Sequence, residues 1–432
     1  MDRYLMSKLI RWKSNPKRKP IIINGARQVG KTWLLKEFGK QHFKNVAYVN
    51  FDNNAAMNLL FEEGYDVPRL LTGIQAETGQ RITEGETLII LDEIQECPRA
   101  LTSLKYFREN APNQMIAAAG SLLGLAIHHG TGYPVGNVTT FDLYPMNFRE
   151  FLDAVGSQSL RELIDVDESA ASAFSSKIVP LLRQYYFTGG MPEAVTAFVE
   201  SGVLEDAREV QNQVLSDYRR DVSKHLSASE TEYALAAWGS IPAHLGQENK
   251  KFTFGHIKEG ARAKNYRSAI TWLTEAGMVF CVRRISKPGI PLSAYLDEFA
   301  FKLFTLDVGL LGAMAGLDSS SVISGSRVFT EFKGALTEQF VCQQLISDCG
   351  LQPFYWSAIN SRGEIDFLVQ REGRIYPIEV KAEENLRSKS LRAFSEKYGD
   401  MNPRRFSLSG YREESWMRNV PLYAIGSTMA WR

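Results

Sequence analysis

At 432 residues the chain is too long for one ordinary core, and roughly two to four domains are expected. A hydrophobic fraction of 44% and a charged fraction of 23% are those of a soluble globular protein. The formal net charge of +1 excludes a globally basic or acidic molecule, so any charged binding surface must be local.

The first twenty residues are basic but lack the apolar block of a signal peptide. The most apolar run, Met115 to Ile127, is broken by Gly120, Ser121 and Gly124, and it falls short of the roughly 20 residues that span a bilayer. Cys97, Cys281, Cys342 and Cys349 form no CxxC pair and no metal spacing, so a reduced, cytoplasmic protein without a membrane partner is expected. The pair His128-His129 has no carboxylate or cysteine at ligand spacing and reads as loop histidines.

Residues 1–148 alternate short β-type runs (Ile21 to Ile23, Val46 to Phe51, Thr87 to Leu91, Gln114 to Ala119, Val138 to Leu143) with helical stretches, the texture of an α/β domain on a mainly parallel sheet. Between its first strand and first helix lies Gly25-Ala26-Arg27-Gln28-Val29-Gly30-Lys31-Thr32, a complete GxxxxGK[ST]. Its glycines let successive N–H groups turn toward a β-phosphate, and the helix N-terminus adds partial positive charge. Lys31 would neutralise the β- and γ-phosphates of ATP or GTP, and the Thr32 hydroxyl would bind Mg²⁺. About 60 residues on, the apolar strand Thr87 to Leu91 ends in Asp92-Glu93. Asp92 is expected to hold the Mg²⁺ shell, and Glu93 to polarise the attacking water. Gln114 to Ala119 ends in Gly120-Ser121, and Ser121 is a candidate sensor of the γ-phosphate, although serine also ends strands for turn reasons.

The stretches Ile23 to Thr32, Leu91 to Gln95, Gly120-Ser121, Leu143 to Leu152, Gly189 to Glu193 and Lys302 to Gly309 together resemble a family of prokaryotic AAA+ ATPases with a C-terminal region of unknown function. The resemblance spans essentially the whole chain. It implies ATP as the nucleotide, Arg27-Gln28 as part of the loop signature, and homo-oligomers as plausible. Many relatives carry Gly-Arg-Val after the sensor strand, where the Arg is a plausible arginine finger. Here the residues are Gly136-Asn137-Val138, and no Arg or Lys occurs between Ser121 and Asn147. Arg149, Arg219 and Arg220 are candidates for a finger from elsewhere; slow hydrolysis and a pure switch role are the alternatives.

Residues 149–245 read as a helical lid interrupted at Thr188 to Pro192. Residues 246–324 read as a winged helix: Phe254 to Ala261 as one helix, Arg262 to Lys264 as the turn, Asn265 to Ala276 as the second helix, and Met278 to Ile285 as a wing strand. From Lys250 to Lys287 there are nine Lys and Arg against Glu259 and Glu275. Lys264, Asn265 and Arg267 are the candidate contacts to DNA, against the alternative of a solvated basic face.

Residues 325–432 hold a long helix (Arg327 to Ser347), then strands Phe354 to Ser357, Glu364 to Gln370 and Ile375 to Lys381. Glu379 and Lys381 share one face of their strand, and Asp366 can approach them across the ladder. Asp366 and Glu379 would bind Mg²⁺ or Mn²⁺, Lys381 would position or deprotonate a water, and Glu338 would complete the metal shell. With a helix after Lys381, this order resembles the PD-(D/E)xK nuclease superfamily, its resolvase-like members in particular. A salt bridge on a solvated hairpin is the structural alternative. The expected architecture is therefore an α/β multidomain chain: AAA+ P-loop domain, helical lid, winged helix and restriction-endonuclease-like domain. The expected activity is ATP hydrolysis coupled to nucleic-acid binding or cleavage. The alternative is an ATP-gated signalling or scaffold protein whose last domain binds without cutting.

Overall fold

The computed structural model describes residues 2–121, 134–324, 327–358, 363–382, 388–399 and 401–432; His128 and His129 lie outside these. The described chain divides into two compact units, one of residues 2–144 with 275–278, the other of residues 145–274 with 279–432.

The first unit is an α/β layer structure on a parallel sheet. Strands β1 (Ile21–Asn24), β2 (Asn45–Asn50), β3 (Thr87–Asp92), β4 (Met115–Gly120) and β5 (Thr139–Asp142) are ordered β2-β3-β4-β1-β5. The apolar runs seen in the sequence form these strands because both faces are covered. Ile21, Ile22 and Ile23 are fully buried, each contributing roughly 1.5–3 kcal/mol. Registers Asn24↔Gly120 and Asn50↔Asp92 bring the carboxyl ends of four strands to one edge, where open α/β sheets bind ligands.

The second unit begins with helices Phe148–Ala154, Gln158–Val166, Glu168–Ala173, Ser175–Thr188, Pro192–Ser201, Leu204–His225, Ala228–Gly239 and Ile241–Leu245. The expected all-helical texture of 149–245 is found. The Gly189-Gly190 break is held by a buried polar hub. Asp307, fully buried, accepts at Oδ2 from the Gly190 amide (2.6 Å) and Gln343 (3.1 Å), and at Oδ1 from the amides of Gly309 (2.9 Å) and Leu310 (3.1 Å). Tyr185 donates to the Met146 carbonyl (2.5 Å) and accepts from Gln343 (3.0 Å). A Cβ on Gly190 would stand 1.9 Å from the Met146 oxygen, so only glycine fits there. The signature stretches around Met146, Gly190 and Asp307 thus meet at one point.

The expected helix-turn-helix is incomplete. Phe254–His256 is only a 3₁₀ turn, because Gly255 and Gly260 (φ +75°) interrupt the stretch read as the first helix. The second helix, Ala263–Glu275, and β6 (Val279–Ile285) lie within two residues of expectation. β6 pairs antiparallel with β7 (Leu296–Thr305).

The boundary expected at 324/325 is crossed by a single sheet. β8 (Phe354–Ser357), β9 (Glu364–Arg371), β10 (Arg374–Val380), β11 (Arg404–Ser407), β12 (Arg412–Glu413) and β13 (Arg418–Pro421) join β6 and β7 in the order β12-β13-β11-β10-β9-β8-β6-β7. The junction is parallel, Arg284 opposite Tyr355. The long helix Arg327–Ser347 reinforces it: Gln339 bonds the Thr305 amide (2.9 Å) and carbonyl (2.7 Å), and Gln343 accepts from the Val308 amide (2.9 Å). The cysteines are all free thiols. Among the described residues, no helix is long and apolar enough to cross a membrane.

Candidate functional site

In the first unit the loop after β1 enters helix Lys31–His42 through Gly30 in the left-handed region (φ +92°). Gly25 is required sterically: a Cβ there would stand 2.2 Å from the Leu143 carbonyl oxygen. Gln28 also takes a positive φ of 66°, and non-glycine residues held there mark a loop whose shape matters beyond local preference. Lys31 is buried and donates to the carbonyls of Gly25 (2.9 Å) and Ala26 (2.7 Å). Burial lowers its ammonium to about 8, opposed by the charges of Glu93 and Asp92.

Thr32 Oγ1 donates to Asp92 Oδ2 at 2.8 Å, and the Tyr48 hydroxyl donates to the same oxygen at 2.9 Å. Burial and then the Asp92 charge hold the Tyr48 phenol well above its usual range, so it stays a donor. Glu93 sits at φ +49°. Its Oε2 accepts from Gln95 (2.6 Å) and Ser121 (3.3 Å). The structure therefore brings together Lys31, Thr32, Asp92, Glu93 and Ser121. The adjacent Thr32 and Asp92 oxygens fit Mg²⁺. Tyr48 is the contributor that motif reasoning misses, since it acts through the Asp92 carboxylate from outside any motif, whereas Gln95 lies in the stretch Leu91 to Gln95 with no role assigned from the sequence.

In the second unit Glu338, Asp366, Glu379 and Lys381 form part of a larger charged cluster. Glu379 Oε1 and Lys381 Nζ are 2.8 Å apart, and Asp366 Oδ2 accepts from the Val380 amide at 2.7 Å. Two lysines absent from the expected set enter it. Lys250 forms an ion pair with Glu338, and Lys302, fully buried, pairs with Glu364 and lies 3.8 Å from Glu338 Oε2. Burial opposes ionisation of Glu338, but Lys250 and Lys302 overcome it and hold the carboxyl below its usual range. Burial, and then the Glu338 charge, push Asp366 up to about 7. Glu338 Oε2 and Glu379 Oε2 are buried without a hydrogen-bond partner. Among the described residues no group of three His, Cys, Asp or Glu side chains is arranged to hold a metal. Lys250 and Lys302 thus already neutralise the charge of Glu338, the carboxylate expected to complete a metal shell. Lys302 left a trace in the sequence, as a cation inside the apolar run Phe301 to Phe304.

Lys264, Asn265 and Arg267 are all exposed at the start of helix Ala263–Glu275. Of the three finger candidates, Arg149 is committed to Asp165 (2.5 Å) and Asp348 (3.4 Å), Arg219 lies over the Trp238 ring, and Arg220 pairs with Asp217 (3.4 Å) at an exposed position.

Residues 17–152 match the AAA domain family, residues 179–321 a domain of unknown function (DUF8612), and residues 333–423 a second domain of unknown function (DUF4143). An uncharacterised protein of Methanocaldococcus jannaschii is 21% identical over 397 residues, covering 88% of this chain and 79% of that protein. An uncharacterised protein of Mycobacterium tuberculosis is 24% identical over 369 residues, covering 84% and 70%. The Walker-type ATPase of Pyrococcus abyssi aligns at 15% identity with a TM-score of 0.45, over 73% of this chain and 95% of its own. The first unit holds most of the region similar to the AAA domain family, and the second carries a mixed sheet.

Proposed function

We propose that the protein is an ATP-dependent ATPase whose second unit engages nucleic acid. The observation that carries the ATPase reading is the continuous chain Thr32–Asp92–Glu93–Ser121 at the carboxyl edge of the parallel sheet. On nucleotide binding, Lys31 exchanges the Gly25 and Ala26 carbonyls for the β- and γ-phosphates. Thr32 and Asp92 would hold Mg²⁺, which supplies charge neutralisation on the phosphate oxygens. Glu93 accepts a hydrogen bond from the attacking water, with Gln95 and Ser121 fixing its carboxylate. A lysine that leaves one set of acceptors for another makes the loop sensitive to occupancy. Arg149, committed to Asp165 and Asp348, is not free to act as a catalytic arginine, which leaves slow hydrolysis and a switch role as alternatives.

The test is a pair of variants read by nucleotide binding and turnover. Lys31→Ala is expected to lose ATP binding. Glu93→Gln is expected to keep binding and lose turnover by roughly 10²–10⁴-fold. Full turnover in Glu93→Gln would reject this assignment.

For the second unit, the basic segment Lys250 to Lys287 and the order Asp366, Glu379, Lys381 support nucleic-acid engagement. The Lys250 and Lys302 pairs with Glu338 favour binding without cleavage over a metal-dependent nuclease. Incubation of the full chain with single-stranded, duplex and branched DNA and Mn²⁺ decides between the two. Cleavage that disappears in Asp366→Ala and Lys381→Ala would restore the nuclease reading.

A further inference from the structure

A cavity of about 240 Å³ opens between helix Ala263–Glu275 and the β6–β7 hairpin. Phe254, Ile270, Cys281 and Phe301 line it, with Arg267 and Arg283 also on its wall. The pairing of the two strands explains its rim. Arg283 faces Phe301, but the next residue, Arg284, faces Asp297, so Glu298, Phe299 and Ala300 bulge from β7 without partners on β6. The Phe299 amide donates to Asp297 Oδ1 at 3.0 Å, which fixes the bulge. As a result Phe299 is 72% exposed, with the Arg267 guanidinium 5.1 Å from its ring centre. Bulges re-aim side chains, and here the side chain turned outward is a large aromatic beside Arg267, a cation of the basic segment Lys250 to Lys287.

We propose that this cavity takes one unpaired nucleobase of a single-stranded nucleic acid. Phe299 offers the stacking face, and Arg267, Arg283 and Lys264 neutralise the flanking phosphates. At 240 Å³ the space lies below the roughly 300–1,000 Å³ of pockets for drug-sized ligands, which suits a single ring system. A base inside a duplex already has both faces covered, so Phe299 can stack only on one that is unpaired. Aromatic platforms beside cationic side chains are how sequence-tolerant single-strand binding is built. Glu298 on the rim repels phosphate and directs the backbone toward the arginine side. The proposal rests on the nucleic-acid reading above and names its substrate class.

The experiment measures fluorescence anisotropy of a labelled oligothymidylate and of a blunt duplex of equal length, with the full chain at low and moderate salt. Phe299→Ala is expected to lose roughly tenfold or more in single-strand affinity, to leave duplex binding unchanged, and to recover in Phe299→Trp. Because Phe299 is exposed, these substitutions leave the fold intact. Arg267→Glu is expected to weaken binding and flatten its salt dependence. Wild-type binding that is indifferent to Phe299→Ala overturns the cavity proposal alone. Absence of any nucleic-acid binding by the wild type overturns the nucleic-acid reading with it. An acidic peptide that displaces the oligothymidylate and binds more tightly would reassign the cavity to a protein partner.

Discussion

Thr32 and Asp92 share a 2.8 Å hydrogen bond across 60 positions of sequence, and the Tyr48 hydroxyl closes on the same carboxylate oxygen from the neighbouring strand. The carboxylate is thus oriented before any ligand arrives. Tyr48→Phe keeps the ring and removes only the donor. It should raise the Mg²⁺ concentration needed for half-maximal ATP turnover by roughly tenfold, with metal-free nucleotide binding unchanged. A titration of turnover against Mg²⁺ checks this.

Lys302 is the one fully buried cation of the second unit's charged cluster among the described residues. Lys302→Met leaves Glu338 and Glu364 short of a partner and should destabilise this unit by roughly 3–5 kcal/mol. Combining it with Glu338→Gln should return part of that loss, a coupling visible in a double-mutant cycle of denaturation midpoints. Strict additivity would mean that the two side chains do not interact.

Asp307 serves four donors, two of them at a helix start. In Asp307→Ala several buried donors go unpaired at about 1–3 kcal/mol each, so the urea midpoint should fall sharply. Gly190→Ala should fall as well, by a different route, because its Cβ meets the Met146 carbonyl.

Asp348 offers a pH test away from both charged sites. Burial pushes its carboxyl up to about 6, against an ordinary value of 3.8, with Arg149 opposing. The folded form therefore binds this proton more readily than the unfolded chain, and the associated stability is present below about pH 4 and lost as pH rises through 6. The stability difference between the wild type and Asp348→Asn should drift by roughly 2 kcal/mol against the wild type from pH 4 to pH 7. Denaturation of both proteins across that range checks the sign. A parallel course of the two profiles would place the titration elsewhere.

The candidate nucleotide site is legible in the sequence because its parts are contiguous motifs attached to strand ends. Gly25 to Thr32 and Leu88 to Glu93 each carry their own context, and the parallel sheet does the rest. Tyr48 was not legible, since a tyrosine on an alternating strand looks the same whether or not its hydroxyl meets a carboxylate. In the second unit, the order Glu338, Asp366, Glu379, Lys381 was visible, but the sequence-distant lysines that alter its charge balance were not. The helix expected at Phe254 to Ala261 failed for a local reason, two glycines in eight residues. The exposure of Phe299 depends on a register shift, which no periodicity announces.

The parallel contact between Arg284 and Tyr355 has a consequence for any attempt to divide the chain. β6 and β7 fall in one of the two matched domains of unknown function, and β8 to β13 in the other, yet they make one sheet. A gene fusion that carried residues 333–423 to a new host would arrive with an open β8 edge, ready to pair with any passing strand. The two matched regions therefore share one sheet, and a cut between them would leave that edge without its partner.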